Sequence, residues 1–336
     1  MTPVRIADDP CQSAASTVGG AVVWDVGLLL LGLVTVVLGA EVFVRGAVGL
    51  ARLWGMSSLW LGLTVVAVGT SAPEIALSLE AILEGRVDMA VGNVVGSNIF
   101  NILLVLGASA AIAPLPAAWM LARIDLPSLA AISGLTWGLA AWDGKLQSGD
   151  GLLLLFGMVA YVGFRIGLDR SRRTQPIEKD PFRPRSLVLS VLGVALGLVM
   201  LRSGSSWMVH ASAHLAREFG VTERVIGLTI LSTGTSLPEV ATSLVAVAKG
   251  ERELAVGNAV GSSLMNLVLV LGLTATFAPI QVAVNPSTLN LDLPVMMATV
   301  VACLFGFRPG REFGRAWGAS FLIGYAVYLS WLLATG

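Results

Sequence analysis

Two glutamates stand in apolar surroundings that ordinarily exclude charge. Glu74 follows Pro73 in GTSAPEIALS (residues 69–78), and Glu239 follows Pro238 in GTSLPEVATS (residues 234–243). Proline has no N–H, so the carbonyl four residues back, Gly69 in the first stretch, loses its helical partner and is pushed aside. In lipid a bare carbonyl costs several kcal/mol and needs another partner, such as a cation or water. A carboxylate is equally costly there unless it faces the bundle interior and meets positive charge. On a helix Ser71 lies three residues before Glu74 and Ser78 four after, so all share one face. Ser236, Glu239 and Ser243 repeat the arrangement.

A second motif, GN-x-V-GS-x-x-x-N, follows each of these stretches. It places Ser97 and Asn101, and again Ser262 and Asn266, one helical turn apart. The combined donors are carboxylates, hydroxyls, amide oxygens and freed carbonyls, with no thiolate or imidazole among them. All-oxygen ligation selects hard cations: Ca²⁺, Mg²⁺ and Mn²⁺, or Na⁺ and K⁺. Two glutamates neutralise one divalent ion, while neighbouring hydroxyls and carbonyls would let several monovalent ions spread over the same site. That competition is the minimum needed for exchange. A single Pro-Glu also reads as a kink with a structural ion pair, and Ser or Gly in membrane helices commonly serves packing. The whole constellation occurring twice favours a site.

The elements that must position these groups are membrane helices. Hydrophobic residues make up 55% of the chain, charged residues 12%, and the mean hydropathy is +0.83; soluble chains carry about 25% charge. Apolar segments long enough to span, about 20 residues each, lie near 23–50, 57–83, 88–113, 122–142, 150–168, 186–215, 223–248, 253–279, 288–307 and 314–335. Residues 62–107 align without gaps on 227–272, roughly half of the positions being identical. The offset, 227 − 62 = 165, spans five helices, so the second copy inserts upside down. Inverted repeats are the build of many secondary transporters, whose substrate sits at the midplane between the copies. The fold class expected is an all-α membrane protein of about ten transmembrane helices in two inverted five-helix repeats. Its parts are a polar tail (1–20), a first repeat (21–168), a loop (169–185) and a second repeat (186–336).

That loop holds Arg170, Arg172, Arg173, Lys179, Arg183 and Arg185, which makes it cytoplasmic by the positive-inside tendency. Five helices on either side then put both termini outside. The N-terminal stretch, with Asp8 and Asp9 and little basic charge, does not read as a cleavable signal. Arg202 falls within the sixth segment and fits neither side. Formal net charge is zero, so nucleic acid is not indicated. Cys11 and Cys303 form neither a disulfide framework nor a metal pattern.

The duplicated GTS-x-PE and GN-x-x-GS-x-x-x-N blocks resemble the alpha repeats of the calcium/cation antiporter superfamily, especially the prokaryotic sodium/calcium exchangers. The resemblance covers most of the chain. It implies electrogenic Ca²⁺/Na⁺ exchange by alternating access, the first and sixth helices sliding against a core of helices 2, 3, 7 and 8. Glu74 and Glu239 would be shared Ca²⁺ and Na⁺ ligands. Backbone carbonyls would come from Ala67, Thr70, Ser232 and Thr235, and hydroxyls from Ser71, Ser97, Ser236 and Ser262. Asn101 and Asn266 would line the midplane.

Departures from the family pattern refine this. Asn266 stands where the potassium-dependent branch carries Asp, which argues against K⁺ co-transport. Ser232 replaces an Ala of some relatives, a change that a backbone ligand tolerates. Proton/calcium exchangers usually have GN rather than GT before their glutamate, which favours Na⁺; an H⁺-coupled or Mn²⁺-type antiporter is the alternative, and Mg²⁺ sheds water reluctantly. The central loop is too short for calcium-sensing domains. No cofactor is expected beyond the transported ions, and the partners are those ions and the bilayer of a prokaryotic cytoplasmic (inner) membrane. Oligomeric state is left open. The chain carries no HExxH, GxSxG or GxGD, so an intramembrane enzyme is disfavoured.

Other residues have weaker claims. His210 and His214 are one turn apart, a spacing suited to a metal or a pH sensor, but a structural or outer-vestibule role is preferred. Glu41 and Arg45 read as an ion pair. Asp125 and Asp292, each two residues before a proline, read as N-caps.

Overall fold

The computed structural model describes residues 10–172, 184–220, 232–279 and 281–335. Helices dominate because a backbone in lipid must satisfy its own hydrogen bonds. They are α1 (Pro10–Trp54), α2 (Ser58–Thr70), α3 (Ala72–Leu83), α4 (Val87–Ile112), α5 (Leu121–Asp143), α6 (Ser148–Arg172) and α7 (Pro184–Glu218). The second half continues with α8 (Ser232–Thr235), α9 (Leu237–Ala248), α10 (Arg252–Phe277), α11 (Thr288–Gly306) and α12 (Arg315–Thr335). Gly85 and Gly250, equivalent positions of the repeat, follow α3 and α9 with φ of 74° and 82°. Only glycine adopts that left-handed turn without strain.

Among the described residues eight helices are long and apolar enough to cross a membrane, or nine when α2 and α3 are counted as one bent span. The tenth expected segment, 223–248, is described only from residue 232. Helix α1 begins at Pro10, inside the stretch read as a polar tail, and α6 reaches Arg172, inside the stretch read as loop. The remainder of the loop, and with it Arg173, Lys179 and Arg183, lies outside the described residues.

The two halves interlock with opposite sense. Helices α1 and α7 run antiparallel and touch backbone to backbone: a Cβ on Gly32 would meet the Gly204 carbonyl at 2.8 Å, and one on Gly204 would meet the Gly32 carbonyl at 2.8 Å. Four two-residue strands complete the frame. β1 (Leu115–Pro116) pairs with β4 (Glu312–Phe313), and β2 (Lys145–Leu146) with β3 (Val282–Ala283). β1 and β3 follow equivalent helices of the two copies yet sit at opposite ends of α5, as an upside-down second copy requires. Helix α10 lies at the centre, packed against α2: a Cβ on Gly257 would meet the Leu59 carbonyl at 2.5 Å.

Both expected N-caps are corrected. Asp125 has helical backbone (φ −69°, ψ −47°) and makes no side-chain cap. Its carboxylate is fully buried, pairs with Arg165 Nε at 2.9 Å and accepts from Tyr161 Oη at 3.0 Å. The Arg165 guanidinium also lies 5.1 Å from the centroid of the Trp60 ring. Asp292 is likewise uncapping and accepts from Tyr328 Oη at 3.0 Å. A local rule for Asp before Pro could not see partners so far along the chain. The Glu41–Arg45 pair forms as read, and Lys249 joins it from the other repeat at 2.9 Å from Glu41.

Candidate functional site

The prolines interrupt the helices where the sequence places them. Between α2 and α3 the axis bends by 44°, and Ser71 at the joint leaves helical geometry (φ −80°, ψ 4°). Ser236 does the same between α8 and α9 (φ −93°, ψ 7°). Each glutamate therefore enters the first turn of a fresh helix, Glu74 on α3 and Glu239 on α9. The Ala67 carbonyl, at the end of the preceding segment, accepts the Ser71 N–H at 2.9 Å.

The two copies meet through reciprocal bonds. Ser71 Oγ donates to Glu239 Oε1 at 3.3 Å, and Ser236 Oγ donates to Glu74 Oε1 at 3.0 Å. Each carboxylate is thus held by the hydroxyl beside the other, and both are essentially inaccessible to solvent. Ser262 Oγ adds a longer contact to Glu239 Oε1 at 3.5 Å. Thr70 Oγ1 bonds to Asn258 Oδ1 at 3.1 Å and reaches Ser262 Oγ at 3.4 Å. Asn266 Nδ2 donates to Ser97 Oγ at 2.9 Å, again across the repeats.

The spare oxygens show what the arrangement can do. Glu74 Oε2, Glu239 Oε2, both amide atoms of Asn101 and Asn266 Oδ1 are buried with no hydrogen-bond partner among the described residues. Buried polar atoms are seldom left so. Two close carboxylates in a dry interior also require compensating positive charge. A hard cation supplies both needs, taking about six to eight oxygens if it is Ca²⁺. Among the described residues no group of three or more His, Cys, Asp or Glu converges.

Of the expected residues, Glu74, Glu239, Ser71, Ser236, Thr70, Ser97, Ser262 and Asn266 take part in these contacts, and Asn101 is buried one turn along α4 from Ser97. Thr235 ends α8 and lines a cavity beside it. Ser232 opens α8, and its side chain lies outside the described residues. Two further asparagines belong to the frame. Asn93 Nδ2 donates to Ser78 Oγ at 3.0 Å and to the Glu74 carbonyl at 3.5 Å. Asn258 Nδ2 does the same for Ser243 Oγ at 2.9 Å and the Glu239 carbonyl at 3.2 Å. Their signal was the GN of the second motif, which spacing alone did not link to the glutamates. Asn101 and Asn266 each open a π-helical turn within α4 and α10, a local widening common at functional sites.

Two cavities flank the joints. The larger, about 170 Å³, is lined by Leu77, Met89, Ser206, His210 and Thr235. The smaller, about 100 Å³, is lined by Gly69, Thr70, Ala72 and Leu198. Pro73, Pro238 and Arg202 border both. The two histidines do not act together: His210 Nδ1 meets the Ser206 carbonyl at 2.7 Å, and His214 Nδ1 meets Asp25 Oδ2 on α1 at 2.6 Å.

Known proteins share this architecture. The profile of the sodium/calcium exchanger protein family matches residues 24–167 and 189–334. The putative antiporter CaxA of Alkalimonas amylolytica is 38% identical, over 89% of this chain and 96% of its own length. The inner membrane protein YrbG of Escherichia coli is 35% identical, over 91% and 95%. The sodium/calcium exchanger MaX1 of Methanosarcina acetivorans is 29% identical, over 90% and 96%. A solved structure of the sodium-calcium exchanger NCX_Mj superposes with a TM-score of 0.81 at 27% identity, covering 93% of this chain and 99% of that one.

Proposed function

Because the chain belongs to the sodium/calcium exchanger protein family of multi-pass membrane cation antiporters, we propose that it exchanges Ca²⁺ for Na⁺ at the paired glutamates. One observation carries the reading: reciprocal Ser–Glu bonds bring a carboxylate from each inverted copy to one buried place, each with an oxygen to spare. Glu74 and Glu239 bind either ion. Ser71, Ser236, Ser97 and Ser262 supply hydroxyls, and Ala67, Thr70, Ser232 and Thr235 supply carbonyls. Asn101 and Asn266 line the same midplane pocket.

Competition is what couples the ions. One Ca²⁺ neutralises the pair by charge alone, whereas several Na⁺ do so by spreading over the hydroxyls. Neither load leaves bare carboxylates to be dragged through lipid, so the loaded states move and the unloaded state does not. The antiparallel α1 and α7 are the moving pair, sliding against α2, α4, α9 and α10. The equivalence of the two copies supplies the outward and inward states as mirror arrangements. The inner-membrane relative supports placement in a prokaryotic cytoplasmic membrane; the arginines of residues 169–185 are the reason for putting that loop inside and both termini outside.

The test is flux. Vesicles holding the reconstituted protein and loaded with Na⁺ should accumulate radiolabelled Ca²⁺ only while the Na⁺ gradient points outward. Glu74→Gln and Glu239→Gln should fold and fail to exchange. Uptake driven by a proton gradient and indifferent to Na⁺ would move the protein to H⁺-coupled antiport, and full exchange in either glutamine variant would remove the site.

A further inference from the structure

Arg202 is a full charge in the middle of a membrane helix. It lies 202 − 184 = 18 residues from the start of α7 and 218 − 202 = 16 from its end. At the midpoint of a helix longer than the bilayer core is thick, it is about 15 Å from either face of a core about 30 Å across, beyond the reach of a snorkelling side chain. An intramembrane arginine ordinarily pairs with an anion or backbone. Arg202 has no hydrogen-bond or ion-pair partner among the described residues, and its side chain is exposed.

Its surroundings explain an unneutralised charge. Arg202 borders both cavities, together with the prolines that precede Glu74 and Glu239. The larger cavity runs from it toward His210 and Met89, the smaller toward Leu198 and Gly69. It therefore stands at the divide between two spaces, each of which touches a glutamate-bearing joint. The charge is also not part of the duplicated set, because the repeat-equivalent position, 202 − 165 = 37, is Val37.

We infer that Arg202 tunes cation affinity at the glutamate pair, opposing each arriving divalent ion more strongly than each arriving monovalent ion. This rests on the cation-exchange reading above. Coulomb repulsion scales with the charge of the arriving ion. Whatever factor Arg202 imposes on the half-saturating concentration of Na⁺, the factor on Ca²⁺ is therefore its square. A factor of about three for a monovalent ion, for example, corresponds to about nine for a divalent one. The site then keeps a moderate Ca²⁺ affinity, which eases release of the divalent ion after transport.

Reconstituted wild type, Arg202→Leu, Arg202→Gln and Arg202→Lys provide the test, each assayed for Na⁺-driven uptake of radiolabelled Ca²⁺. The neutral variants should lower the Ca²⁺ half-saturation about ninefold and the Na⁺ half-saturation about threefold, and Lys should restore both. Equal shifts for the two ions, no shift, or a lysine variant behaving like leucine would overturn the inference. Using two neutral side chains of different polarity separates charge from packing, should leucine alone impair assembly. Glu74→Gln run in parallel distinguishes the failures. If it keeps exchanging, the exchange site is wrong; if it is dead while the Arg202 variants match wild type, only the role of Arg202 falls.

Discussion

Replacing Arg165 by methionine should cost more stability than any other single truncation outside the ion site. The Arg165–Asp125 pair sits at 2.9 Å with side-chain exposures of 1% and 0%. Without the guanidinium, the Asp125 carboxylate keeps the Tyr161 hydroxyl and no cation. Breaking a buried pair in this way costs about 3–5 kcal/mol, and loss of the contact with Trp60 adds about 0.5–2 kcal/mol. Removing both charges together, as Arg165→Met with Asp125→Leu, leaves no charge uncompensated, only the neutral Tyr161 hydroxyl without its acceptor, and should recover much of the loss, for a coupling energy of about 3 kcal/mol. The second repeat does without the arginine, and its carboxylate is only part-buried. Asp292 keeps its tyrosine, Tyr328, and the position equivalent to Arg165 by the same offset (292 − 125 = 167; 165 + 167 = 332) is Leu332. The assay is reversible unfolding in mixed micelles titrated with a denaturing detergent, followed by tryptophan fluorescence. A single variant within about 1 kcal/mol of wild type, or a double variant no better than the single, would refute the reasoning.

Two further substitutions probe the site and the sliding seam. Ser236→Ala removes the shorter of the two reciprocal Ser–Glu bonds, 3.0 Å against 3.3 Å for Ser71→Ala. A hydrogen bond to a charged group is worth about 1.5–3 kcal/mol, so the Ca²⁺ half-saturation should rise about tenfold or more, and further for Ser236→Ala than for Ser71→Ala; the reverse order in a flux titration would contradict this. Gly204→Val places new carbons against the Gly32 carbonyl and should overpack the α1–α7 seam by about 1–3 kcal/mol. Turnover should fall while both half-saturation constants hold, as measured by separating maximal rate from half-saturation.

The candidate site was legible because it is written twice. A proline, a glutamate and serines at helical spacing are ambiguous once, but their return in opposite insertion sense leaves little besides a shared pocket. The same duplication gave the helix order and the interlocking halves. What stayed hidden depended on contacts without local signature. Asp125 followed a capping rule on its own segment, whereas its true partner, Arg165, lies a full helix away on α6. Asn93 and Asn258 stood in plain sight within the second motif, yet their bonds to the glutamate carbonyls exist only once two helices pack. The π-helical turns at Asn101 and Asn266 arise from the same packing, since nothing in NILLVL or NLVLVL departs from an ordinary helical run. Arg202 was visible as a misfit of orientation, and its place between two cavities gave that misfit a meaning.

The most direct measurement is diffraction from crystals of this protein soaked with Sr²⁺ in place of Ca²⁺, with and without high Na⁺. An anomalous peak should lie between the carboxylates of residues 74 and 239, in contact with both, and should vanish as Na⁺ rises. A peak elsewhere, or side chains too far apart to share one ion, would contradict the account at its root.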